Sequence, residues 1–91
     1  MVSVDEELKA AKAAKTAINA LLTTTSKSVL VAALNKANHI AVLNLASGGA
    51  LNEARANVGI ALSNLLHGQP TLEKIEKAKG AVEEWINQLR T

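Results

Sequence analysis

The residues of this chain that could do chemistry are few, and each lacks the neighbours its chemistry needs. His39 and His67 are the two imidazoles. A metal site would take further ligands at helical spacing, yet neither histidine has a carboxylate or a second histidine three or four positions away, and the E-x-x-H pairs of di-iron bundles are missing. Ala46-Ser47-Gly48-Gly49 lacks the preceding strand of a nucleophile elbow, and Gly48-Gly49-Ala50-Leu51 lacks the Gly-Lys-Ser/Thr ending of a phosphate loop. The adjacent carboxylates Glu6-Glu7 and Glu83-Glu84 sit about 100° apart on a helix, so they read as dipole or surface charges rather than as an acid and base pair. With no cysteine among 91 residues, disulfide frameworks, zinc ribbons, iron–sulfur clusters and thiol nucleophiles are excluded. One aromatic, Trp85, leaves no stacking platform for single-stranded nucleic acid. Neither an enzyme nor a metal or cofactor site is expected.

The charge distribution is the most informative polar feature. Residues 8–52 carry Lys9, Lys12, Lys15, Lys27 and Lys36 and no acid, whereas the formal net charge of the whole chain is only +2. This basic surface is either a solvated lysine face or a site for an acidic partner: a protein surface, an anionic membrane face or a nucleic-acid backbone. Nucleic acid is the least favoured, because the stretch has no arginine, no recognisable helix-turn-helix pattern and no aromatic. Lys9, Lys12 and Lys15, three apart, trace a slanting line.

The elements that must position these residues are all helical. Ser3 and Glu6 form an S-x-x-E capping box, and Asp5, Glu6 and Glu7 follow at the positive end of the helix dipole. Val4, Leu8, Ala11, Ala14, Ile18, Leu21 and Leu22 then recur at helical spacing, until Thr23-Thr24-Thr25-Ser26 interrupts with Thr25 or Ser26 as the next cap. The second segment runs to Ser47-Gly48-Gly49 and has apolar residues over roughly 220° of its circumference, with Leu43 intruding on the polar arc. In the third, Ile60 points away from the apolar face and Gly68 stands as the terminating glycine. The fourth, capped by Thr71, has the cleanest stripe: Leu72, Ile75, Ala78, Val82, Trp85, Ile86 and Leu89. The pattern predicts a single all-α domain, a small antiparallel up-down four-helix bundle with helices over about 4–23, 27–46, 50–67 and 71–89. A three-helix core with an exchanged first helix is the alternative.

More apolar surface is on offer than a monomer of this size readily covers. Val31, Asn35, Asn38, Val42 and Leu43, with Ile60 and Asn64, are therefore the candidate partner-binding face, set against a second helix so buried that no patch exists. The expected role is non-enzymatic, through protein–protein contact or self-association, as a structural, assembly or accessory component. Small bacteriocin-immunity proteins are similar in size, basic charge and four-helix layout, which implies an inhibitor-type protein as one alternative. Anionic-ligand or nucleic-acid binding through the lysine-bearing first half is the other. Histidine-phosphotransfer domains are also similar small bundles, but Val42 and Leu43 stand where that family places its Lys and Gly after the histidine. No apolar stretch reaches the roughly 20 residues of a membrane span, which leaves peripheral membrane contact open and makes a cytoplasmic or virion-associated protein the expectation.

Overall fold

The structure, a computed structural model, describes residues 2–24 and 26–91. Four helices account for most of them: α1 (Val4–Ala20), α2 (Lys27–Leu43), α3 (Ala50–Leu66) and α4 (Leu72–Arg90), with no strand among the described residues. Ser3 Oγ accepts from the Glu6 amide at 3.2 Å, so the first half of the capping box forms, and Thr71 Oγ1 caps α4 by accepting from the Lys74 amide at 3.2 Å. Ser26 makes no side-chain cap, and Thr25, the other candidate, lies outside the described residues.

Two helices stop earlier than the periodicity predicts. The first ends at Ala20 rather than at Thr23, whose amide and hydroxyl both turn back to the Ala20 carbonyl. Leu22, placed by spacing on the apolar face, is thereby left 64% exposed. The second ends at Leu43 rather than Ala46, because the Asn44 side chain is drawn inward to polar partners at the foot of the bundle. Val4, also read as apolar-face, lies at the exposed start of α1. Gly48, Gly49 and Gly68 all have positive φ, the backbone state that lets the chain reverse after α2 and α3 without a Cβ clash.

The helices pack in a ring: each packs against its neighbour in sequence and α1 also against α4, while the backbones of the diagonal pairs stay apart among the described residues and α1 reaches α3 through the Glu7–Arg55 side chains. Alanines bring the axes close. Ala11, Ala14 and Ala17 on α1 and Ala37 and Ala41 on α2 are buried, leaving room for Ile18, Leu34, Leu62, Val82 and the fully buried Trp85. The radius of gyration, 12.1 Å, is that of a tightly packed chain of this length. No described helix is long and apolar enough to cross a membrane.

Gly80 sits mid-helix on α4 with nothing within 4 Å of where a Cβ would stand. Gly80→Ala is expected to raise unfolding stability by about 0.8 kcal/mol through helix propensity alone, read by urea denaturation. A loss of stability would show that the position carries a contact this geometry lacks.

Candidate functional site

The polar constellation best organised by the fold is one the residue pattern did not single out. Glu7, from the first turn of α1, is 0% exposed, so it is not the surface charge that its sequence position implied. Its Oε1 accepts from Asn44 Nδ2 at 2.9 Å and Arg55 Nη2 at 2.7 Å, and its Oε2 accepts from Arg55 Nε at 2.7 Å and Trp85 Nε1 at 2.8 Å. Four donors fill the acceptor sites of the carboxylate. Arg55 Nη1 in turn donates to the Asn44 carbonyl and to Asn52 Oδ1, both at 3.0 Å, and Asn44 holds the Val2 amide and carbonyl with its own side-chain amide, both at 2.9 Å. All four helices or their caps thus meet at one charged pair.

Burial works against the Glu7 charge, but the hydrogen bonds from Arg55, Asn44 and Trp85 and the Arg55 charge outweigh it and hold the carboxyl below its ordinary value. The bond to Glu7 likewise lifts the Arg55 guanidinium above its usual range. A carboxylate that is saturated, ionised and sealed from solvent has no lone pair for a substrate and no path to one. Its chemistry is structural.

The candidate partner residues lie on the outer side of α2 and α3. Val31, Asn35, Val42, Leu43, Ile60 and Asn64 are exposed, and Asn38 is half-buried, donating to Ser63 Oγ at 3.4 Å across the α2–α3 seam. Asn38 Oδ1 itself is buried without a partner. Val31, Asn35, Asn38 and Val42, spaced four, three and four, form one row along that seam, and Val42 Cγ2 lies 3.5 Å from where a Cβ on Gly59 would stand. Leu43, next in sequence, falls about 100° around α2, and Asn64 stands the same angle from Ser63, so the seven residues are a broad outer face rather than one groove. The second helix is not buried all round: Val29 and Val42 are both more than half exposed. Val31 and Asn35 also edge a depression of about 310 Å³ floored by Leu34 and Leu65, with Lys27 at its margin.

The basic surface is divided. Lys9 and Lys36 line a groove between α1 and α2, Lys12 and Lys15 line another between α1 and α4, and Lys27 borders the α2–α3 depression. His39 is exposed on α2, and His67 is exposed just past α3.

Removing one partner of a buried pair costs about 3–5 kcal/mol, comparable to much of the 5–15 kcal/mol that holds a domain together. Glu7→Gln is therefore expected to destabilise strongly at neutral pH. Because folded Glu7 releases its proton more readily than unfolded Glu7, its contribution is present above the ordinary carboxyl value of 4.5 and is lost as pH falls through the lower folded value. Urea denaturation should show the gap between wild type and Glu7→Gln narrowing on acidification below that value; a gap independent of pH would contradict an ionised Glu7. Compared with known proteins, the chain matches no family model, no curated protein and no solved structure.

Proposed function

We propose that this chain is a non-enzymatic helical module, a structural or assembly component, that works by protein contact through the outer face of α2 and α3. One observation carries the reading: charge is concentrated on one side of the ring and most of the exposed apolar surface on the other. Of the 18 charged residues, α1 has six and α4 has eight, whereas α2 has Lys27 and Lys36 and α3 has Glu53 and the buried Arg55. Conversely, six of the nine exposed large hydrophobics among the described residues, Val29, Val31, Val42, Leu43, Leu45 and Ile60, lie on α2, on α3 or in the turn between them, the other three being Val4, Leu22 and Leu72 at the ends of α1 and α4. Desolvating such a face costs little electrostatically and gains apolar burial.

The connections are short, and the N-terminal halves of α1 and α3 meet the C-terminal cap of α2 and the C-terminal half of α4 at the Glu7 cluster. Both features support an up-down-up-down antiparallel arrangement, in which α2 and α3 present one continuous wall.

The occupant best matched to this wall is a second copy. A two-fold contact repeats the same patch on both partners, and laying α2 against the partner's α3 sets Lys27, which borders this face, against Glu53 instead of lysine against lysine. Sedimentation equilibrium should show reversible dimers whose affinity changes little with salt. A Val42→Glu, Ile60→Glu variant should be monomeric with unchanged helix content, since Val42 is 57% and Ile60 63% exposed. A wild type still monomeric at about 1 mM, where association would be worth only about 4 kcal/mol, would overturn self-association through this face.

A further inference from the structure

On the opposite side of the ring, α1 and α4 enclose a groove of about 280 Å³ in which Lys12, Lys15 and Thr16 face Glu83, Asn87 and Arg90. The residue pattern had grouped the two lysines with Lys9, Lys27 and Lys36. Folding separates them from those three and adds an arginine and an amide from a segment more than 60 residues away. The spacing accounts for this convergence. Lys12, Lys15 and Thr16 share one face of α1, and Glu83, Asn87 and Arg90 share one face of α4 at intervals of four and three. Ile86, almost fully buried, lines the groove from α4.

Three cations and one carboxylate give the lining a net charge of +2. Within 4 Å, none of Lys12, Lys15 and Arg90 has an ion-pair partner among the described residues, Glu83 included. Glu83 offsets one of the three cations, and the positive charge left over is self-repelling, a repulsion that an anion in the groove relieves. The Thr16 hydroxyl is already committed as a donor to the Lys12 carbonyl at 3.2 Å, so the ammonium groups, the guanidinium and the Asn87 amide are the donors left to face a ligand.

We propose that this groove binds a small phosphate-class dianion. Charge matches: a dianion neutralises the lining, whereas a monoanion leaves it cationic. Chemistry matches: the planar guanidinium offers two parallel N–H groups to phosphate oxygens while the lysines act as point charges. Size is permissive: a groove of about 280 Å³ admits a compact anion with part of its hydration water. A polyanionic backbone fits poorly. Lys9 and Lys36 lie in a separate groove beside Glu6, so the cations form no continuous track for an extended chain of phosphates.

The experiment is an amide-resolved NMR titration with inorganic phosphate, set against sodium chloride at equal ionic strength. Saturable shifts confined to residues 12–16 and 83–90 are expected with phosphate and not with chloride. Lys15→Gln or Arg90→Gln should weaken binding by about tenfold or more, as removal of a charge-assisted hydrogen bond does. Glu83→Gln should tighten it, and Lys36→Gln, in the other groove, should leave it unchanged. All four positions are on the surface or near it, so circular dichroism should report the same helix content throughout. Equal shifts with chloride, shifts spread over every lysine, or equal weakening by Lys36→Gln and Arg90→Gln would overturn the proposal.

Discussion

The fold depends on one interaction, the buried contact between Glu7 and Arg55. Taking two opposite charges out of water costs several kcal/mol for each, and their attraction offsets that only when every remaining hydrogen-bonding site is also filled. Here it is filled by groups from the other two helical elements: the Asn44 side chain that ends α2 and the Trp85 indole of α4. The position of each helix is therefore a condition of the others. A shift of α4 by one turn would withdraw the Trp85 N–H, and a longer α2 would carry Asn44 away from both Glu7 and Val2.

This also explains how an Ala-rich chain can hold a defined packing. Alanine faces fit together in many registers, since small side chains interlock weakly and discriminate little between neighbouring alignments. Ala11, Ala14, Ala17, Ala37 and Ala41 allow α1 and α2 to approach but do not by themselves say at which height. The polar cluster does. It is a directional set of bonds placed at one end of an otherwise permissive core. Relieved of that task, the exterior divides: the surface of α1 and α4 is strongly charged, and that of α2 and α3 is nearly neutral.

The four helices were legible because apolar spacing and punctuation agree, from Ser3 and Thr71 at helix starts to Gly68 past the end of α3. Helix ends were less so: Leu22 and Val4 match the apolar period yet lie at the margins of α1, where period alone does not tell a last buried turn from a first exposed one. The largest gap is Glu7. Read beside Glu6 at a helix start, it has an ordinary dipole role, and that local explanation concealed a second fact: it stands four residues before Ala11, on the buried face. Arg55 carried the same signal, four residues after Leu51 and three before Val58. Two opposite charges, each intruding on an apolar stripe, are a readable sign of an internal pair. The exposed α2–α3 face was anticipated from surplus apolar area, whereas the company kept by Lys12 and Lys15 was not, because pairing α1 with α4 is a tertiary fact.

The bonds of the Glu7 cluster span 37, 48 and 78 residues of sequence. Each pair of adjacent helices can collapse on short-range contacts, but the cluster closes only when the first and last helices are both docked. Four helices on short loops can be threaded around a ring with either hand, and an alanine core barely distinguishes the two. Either hand keeps α1 diagonal to α3, so what distinguishes them is the pair of flanking donors: Asn44 reaches Glu7 Oε1 and Trp85 reaches Oε2, and the wrong threading exchanges their sides. A contact formed late in assembly thus acts as a test of topology, and the handedness of the bundle is written in four side chains.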